Sequence, residues 1–476
     1  MWWPRTSSVA TESMALIRSC IMPIVYKSKK MKPGYMTLSA ALALSFAVGA
    51  AAQPSQEPVL WSLDRCIGYA LEHNLTVKSR DLDRQQRYID LNTARNSRLP
   101  DVAGSASQNF SFGRGIGADN TYVNTNTASS SVSLGASLNI FNGFCTQRTI
   151  KMDALNLEAA VADLEKAKDD VCVSVAQAYV QILYDIEVES VARRQVGIDS
   201  VQVVRLRSMR ANGKASDAEV AQQEASLGQS RMTLTQARNA TRLALLDLTQ
   251  LLELPSSDGF GIVVPDVDAS GLAVPVSAED IYAQAVEMKP AVKAERLRLD
   301  AALAGVGVAR SALSPSLSLN GGLGTNYYKS SGYDSARFMD QIKNNFNQYV
   351  GVSLNVPVFS RLSARNSIRS ARLSSESQRI QLESVKKSLY KEIQQAWHNA
   401  LAAQDKLRSC EDAQKSAEEA FRLVSAKYEN GKATITEFNE SRTGLMKAMS
   451  DMAQARYESL FQIKLLDFYR GVPLRF

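Results

Sequence analysis

Histidine is almost missing: the 476 residues hold two, His73 and His398, far apart and outside any ligand motif. Zinc sites and base-assisted nucleophiles draw heavily on histidine, so metal centres and histidine-based catalysis are excluded as organising themes. Cysteine is scarce as well. Beyond Cys20 near the N-terminus there are Cys66, Cys145, Cys172 and Cys410, irregularly spaced and without a Cys-x-x-Cys. They read as small apolar residues rather than a disulfide framework or a metal site. After residue 52 no run approaches the ~18 consecutive apolar residues of a membrane-spanning helix. Neither a phosphate-binding loop nor a nucleophile motif occurs, so no enzymatic chemistry and no cofactor is expected. The formal charge of +7 is also misleading, because six of the 55 basic residues and one of the 48 acidic residues lie in 1–52. The rest of the chain carries 49 basic and 47 acidic residues, a net of +2. A nucleic-acid partner loses its support.

The N-terminal block has a purpose of its own. Lys27, Lys29, Lys30 and Lys32 precede an apolar run from Leu38 to Val48, followed by Ala50, Ala51 and Ala52 before Gln53. This is the layout of a secretory signal peptide cleaved after Ala52, with Met31 as an alternative start to Met1. No cysteine follows the small residues, so a lipid anchor at that point is not indicated.

What the rest of the chain has in abundance is helical periodicity. Ile393, Ala396, Ala400, Ala403, Leu407, Cys410, Gln414, Ala417, Phe421, Val424 and Tyr428 alternate at three and four residues, the seam of a coiled-coil helix. The turn Tyr428-Glu429-Asn430-Gly431-Lys432-Ala433 follows, and a second seam (Phe438, Leu445, Met449, Met452, Ile463, Leu466) runs back along the first. This long hairpin has a twin. Asn212-Gly213-Lys214-Ala215 precedes Asn430-Gly431-Lys432-Ala433 by 218 residues, as Phe141 precedes Phe359. Upstream the offset is 215, from Asn74 to Lys289 and Pro100 to Pro315. Much of the seam carries over too (Val171, Val175, Ala178, Ile182, Ala192, Val196, Val203, Leu206), with Asp185, Glu189 and Asp199 as polar exceptions. Internal duplication divides the chain into 53–255, a Pro- and Gly-rich linker at 256–277, and 278–476.

Each half opens with helix. Ser62 to about Leu99 carries Leu71, Leu75, Leu82 and Ile89 on one face, and breaks at Asn74-Leu75 as its copy does at Lys289-Pro290. After Pro100 and Pro315 the period changes to two. Val132, Leu134, Ala136, Leu138 and Ile140 alternate with polar residues, as do Val350, Val352, Leu354, Val356 and Val358. Their mates are 103–113 and 316–328, with loops expected at 114–128 and 329–347. Each half thus contributes one β-hairpin with an apolar and a polar face, the pattern of an outer-membrane barrel. The descending helix, Arg148 to Gly213, would be about 100 Å long at 1.5 Å per residue, too long for a compact domain.

From Trp61 to Phe476, the duplicated order of helix, proline, strand hairpin, long helix, Asn-Gly-Lys-Ala turn and returning helix resembles the TolC-like outer-membrane efflux protein family. The resemblance implies a mainly α fold with a transmembrane β-barrel portion. Four strands per chain would make a twelve-stranded barrel in a homotrimer, continued through the periplasm by an α-barrel. It implies a passive exit duct of a tripartite efflux or secretion system, set in outer-membrane lipid and reached by an inner-membrane transporter through a periplasmic adaptor. Adaptor docking would fall on the tips Asn212, Gly213, Lys214 and Asn430, Gly431, Lys432. Aligned on Gly431, the pore constriction falls on Glu437 and Glu440, the gate tyrosine on Tyr428 and its partner acid on Glu219. The family's basic residue two after the second tip glycine is Ala433 here, which removes an arginine lock at that position. Two plainer readings stay open. Glu437 and Glu440 also suit a solvated helix start stabilised by the helix dipole, and the hairpins also suit a periplasmic coiled-coil adaptor or scaffold.

Overall fold

The computed structural model describes residues 59–116, 120–265, 277–331 and 334–475. All of them belong to one compact unit beginning at Glu57. The expected leader at 1–52, residues 266–276 of the linker, and Phe476 lie outside the described residues.

The first half runs β1 (Val59–Trp61), α1 (Leu63–His73), α2 (Leu75–Asn96), β2 (Asp101–Ile116), β3 (Tyr122–Asn142), α3 (Cys145–Ala211), α4 (Asp217–Leu251) and β4 (Phe260–Ile262). The second runs α5 (Ala278–Met288), α6 (Pro290–Ser311), β5 (Ser316–Ser330), α7 (Phe338–Asn344), β6 (Asn347–Asn355), α8 (Ser363–Glu429) and α9 (Ile435–Tyr469). Both ends of α1 and α5, and of α2 and α6, are offset by 215; both ends of α3 and α8, and of α4 and α9, by 218. The breaks fall where expected. Asn74 ends α1 and caps α2, its Oδ1 accepting from the Thr76 N–H at 2.9 Å, while Pro290 opens α6 at a position where its missing N–H costs nothing.

One expected face is used differently. Within the chain α1 and α2 bury Leu63, Cys66, Ala70, Val77, Leu91 and Ala94, whereas Leu75, Leu82 and Ile89 stay exposed. Small residues at Ala70 and Ala94 let the backbones approach α3, which turns the larger leucines away from it.

The four long strands form one antiparallel sheet in the order β2-β3-β5-β6. Adjacent partners such as Gly104–Leu134, Leu134–Leu323 and Leu319–Val352 put Val102, Val132, Leu134, Leu319, Leu323, Val350 and Val352 on one face. Ser105, Ser107, Ser131 and Ser133 stand on the other, with Ser105–Ser133 and Ser107–Ser131 hydroxyls 2.8 Å apart across the strands. Three extents differ from expectation. Most of the loop expected at 114–128 is strand, because β2 reaches Ile116 and β3 starts at Tyr122. The loop expected at 329–347 contains α7. The strand expected through Val358 stops at Asn355, two residues before Pro357, which has no N–H for a ladder.

Strand passes to helix through left-handed backbone at Gly143 (φ +64°) and Phe144 (φ +62°), and in the second copy at Arg361 and Leu362. A side chain at Gly143 would collide with Ser314 and approach the Ser311 carbonyl to 2.9 Å, so glycine is required there by contact as well as by φ. From these turns descend α3 and α8, each 67 residues and so about 100 Å long. On α8 the inward residues are Ile393, Ala396, Ala400, Ala403 and Leu407, the expected seam, followed by half-buried Cys410, Gln414, Ala417, Phe421, Val424 and Tyr428. Part of α3 is apolar enough to cross a membrane by composition, but 44% of that stretch is buried inside the chain. It supplies Val175, Ala176, Tyr179, Ile182 and Leu183 to the largest core, joined by Trp61, Leu248, Leu252 and Leu460. The short parallel pair β1–β4 seals this core, and the Tyr179 hydroxyl donates to the Val263 carbonyl at 2.5 Å. The four described cysteines are unpaired thiols.

Candidate functional site at the helical tips

The two tips are built alike because the same short sequence builds both. Gly213 (φ +69°) and Gly431 (φ +68°) close α3 and α8 in left-handed turns. The Lys214 N–H donates to Met209 O and the Lys432 N–H to Lys427 O, both at 2.8 Å, satisfying carbonyls the helix ends would leave open. Asn212 and Asn430 fold their side-chain amides back onto the carbonyls of Ser208 (2.8 Å) and Ala426 (2.7 Å). Each returning helix starts with a reciprocal cap. Glu219 Oε2 accepts from the Ser216 N–H at 2.7 Å while Ser216 Oγ accepts from the Glu219 N–H at 3.2 Å. Thr434 and Glu437 repeat this at 2.6 and 3.2 Å. The backbone N–H of Ser216 holds the Glu219 carboxyl below its ordinary pKa, and that of Thr434 does the same for Glu437. Glu219 and Glu437 are thus equivalent positions of the repeat and both are helix-capping acids. Glu440 is exposed one turn beyond Glu437.

Tyr428 is half-buried between the hairpins. Its ring stacks on Phe438 at 5.0 Å, and the Arg205 guanidinium lies 5.9 Å from its centroid. Leu206, Val220, Ile435 and Phe438 make a small core here that takes one residue each from α3 and α4 and two from α9. Burial raises the phenol's pKa, the Arg205 charge opposes this, and the charge of Glu219 adds to it. Among the described residues of one chain, the contacts of Tyr428 are rings and a guanidinium rather than a hydrogen bond to Glu219.

The most buried charges of the hairpins lie further from the tips. Asp199 of α3, one of the polar exceptions in the seam, is 0% exposed and forms an ion pair with Arg442 of α9, which is 3% exposed. The Asp199 carboxylate also accepts from Gln223 Nε2 (3.1 Å), Gln195 Nε2 (3.0 Å) and the Ser230 hydroxyl, and Arg442 Nη2 donates to Ser226 Oγ at 2.9 Å. This network joins the two halves about 20 Å from the end of α3. Burial pulls the Arg442 guanidinium down to about 10, still charged at neutral pH. Sequence reasoning missed Arg442, although a signal existed: Phe438, Arg442, Leu445, Met449 and Met452 keep the spacing of four and three, so a basic residue stands in the α9 seam as an acidic one, Asp199, stands in the α3 seam of the other half.

The family described as Outer membrane efflux protein matches residues 66–253 and 281–465, one stretch in each half. The chain belongs to this family. It is an outer-membrane efflux protein, which sets aside the reading as a periplasmic adaptor or scaffold. Among its relatives is the pyoverdine export outer membrane protein OpmQ of Pseudomonas aeruginosa, 26% identical over 351 residues, 72% of this chain and 70% of OpmQ. The outer membrane protein TolC of Vibrio cholerae is 26% identical over 187 residues, 39% of this chain and 42% of that protein. The Campylobacter jejuni CmeC outer membrane channel shares the fold, with a TM-score of 0.73 at 18% identity, covering 86% of this chain and 85% of CmeC.

Proposed function

We propose that this efflux channel works as a homotrimer and as the exit duct of a tripartite system, receiving cargo from an inner-membrane transporter through a periplasmic adaptor. The observation that carries the reading is the open sheet. The outer sides of its edge strands β2 and β6 have no strand partner among the described residues, one face is apolar and the other is polar. Edge strands left unpaired invite pairing with another chain. Three copies joined β6 to β2 would give twelve strands, enough to leave a lumen, with the serine face inward and the apolar face towards lipid. In this reading α3, α4, α8 and α9 continue the duct through the periplasm and the tips gate it. Glu437 and Glu440 would line the constriction, Tyr428 would pair with Glu219 of a neighbouring hairpin, and Asn212, Gly213, Lys214, Asn430, Gly431 and Lys432 would meet the adaptor. Planar-bilayer recording with protein from outer membranes tests this: discrete, cation-preferring conductance steps are expected, and a protein that never inserts contradicts the proposal.

A further inference from the structure

The short helix α7 sits where the polar-loop reading of the sequence left nothing. β6 begins at Asn347, opposite Gly324, so the last residues of β5 have no strand beside them on that side. The α7 region fills the place. The Tyr328 N–H donates to Gln341 Oε1 and the Gln341 amide donates to the Tyr328 carbonyl, both at 3.0 Å, imitating a strand partner. Asn345 Nδ2 donates to Asn326 O at 2.7 Å and the Thr325 hydroxyl donates to Ile342 O, also at 2.7 Å.

Which face the helix leans on follows from register. Thr325 is opposite Val132 and lies two residues from Leu323, so Thr325 and Tyr327 stand on the apolar face. The Tyr327 ring packs on Phe338 at 4.9 Å. Phe346, just past α7, roofs a groove of about 480 Å³ lined by Gly104, Ala106, Val132, Leu134 and Leu323 of that face. With the sheet side occupied by Gln341 and Ile342, helical spacing leaves Met339 and Lys343 facing outward, and both are exposed, as is the Phe346 ring just beyond the helix. Asp340 and Arg337 flank it. From Ser316 to Thr325 the strand climbs nine residues, and at ~3.4 Å per residue with a ~40° tilt that is about 23 Å, the outer boundary of a ~25 Å apolar band. Further along the same face stand Phe110, Phe112 and Tyr122, with Arg114 over the Tyr122 ring at 5.6 Å. Tyr327, Phe338, Lys343 and Phe346, gathered around Thr325 at that depth, suit a membrane–water interface.

We propose that α7 and Phe346 form a lipid clasp on the outside of the barrel. Met339 and Phe346 enter the acyl layer of the outer leaflet, an acyl chain of an anionic lipid lies in the groove under Phe346, and Lys343 reaches that lipid's headgroup. The inference rests on the reading above that the apolar face meets lipid, and the test separates the two. Phe346→Trp and Leu134→Trp variants of the full protein are reconstituted in phosphatidylcholine vesicles brominated on the acyl chains, with the unsubstituted protein setting the baseline for Trp61 and Trp397. Both added tryptophans are expected to be quenched, the one at position 134 most by bromines at mid-chain and the one at position 346 most by bromines near the glycerol. Quenching at 134 but not at 346 overturns the clasp and leaves the barrel standing; quenching at neither overturns the barrel as well. For the headgroup, the Phe346→Trp variant should be quenched more by a minor fraction of brominated phosphatidylglycerol than by the same fraction of brominated phosphatidylcholine. Adding Lys343→Gln should remove that excess. Equal quenching by the two lipids contradicts an anionic occupant.

Discussion

Arg442 of α9 reaches across the two halves of the chain to pair with Asp199 of α3, and both are shut away from water. Removing one partner strands the other's charge in the core, which costs about 3–5 kcal/mol, whereas replacing both by apolar residues of similar volume is often nearly neutral. Arg442→Met should therefore lower the denaturant midpoint of the purified protein strongly, and Arg442→Met with Asp199→Leu should recover most of the loss. A double variant as weak as the single one would show that the pair is not what holds these helices together.

The capping acids make the tips sensitive to acid. Glu219 and Glu437 have pKa values lowered from 4.5 by backbone hydrogen bonds, so their stabilisation is present above 4.5 and is lost as pH falls through the lowered values. Amide exchange at the first turns of α4 and α9 should accelerate below about pH 4.5 while the core around Tyr179 stays protected. Glu437→Gln, which keeps an acceptor but no charge, should flatten the response at α9 only.

For the gate, Glu437→Ala with Glu440→Ala is expected to lower cation selectivity and block by multivalent cations in planar bilayers, because acidic rings act through their charge. Tyr428→Phe keeps the stack on Phe438 and removes only the hydroxyl. Open probability should rise if that hydroxyl bonds a neighbouring Glu219, a contact worth about 1.5–3 kcal/mol. Unchanged openings in Tyr428→Phe reduce Tyr428 to a packing residue.

Glycine substitutions should rank by contact. Gly431 has open space around a notional side chain, so Gly431→Ala incurs only the left-handed backbone, on the order of 1–2 kcal/mol. Gly143→Ala adds collision with Ser314 and the Ser311 carbonyl and should impair assembly far more, measured as folded protein recovered from membranes.

Much of this architecture is legible because it is duplicated. The offsets of 215 and 218 residues place helix ends in one half from those in the other, and the seam from Ile393 to Tyr428 marks the inward side of α8. What escapes has physical causes. Thr125 and Thr127 are strand residues whose polarity looks like a loop, because one face of that sheet needs no apolar side chains. α7 is too short to show a helical period and takes its stability from β5. Position alone assigns Glu437 to the pore, yet its carboxylate holds a helix start together, a role that its spacing from Thr434 already suggests. Arg442 escapes because a seam searched for apolar residues alone passes over a charge that is neutralised by a partner 243 positions earlier in the other half.

In the proposed trimer the open edges β2 and β6 are closed by other copies of the chain. Its most direct test is the mass of the particle purified from outer membranes in detergent, by light scattering corrected for bound detergent. A single species of three chains is the expected result, and a monodisperse single chain would contradict the account.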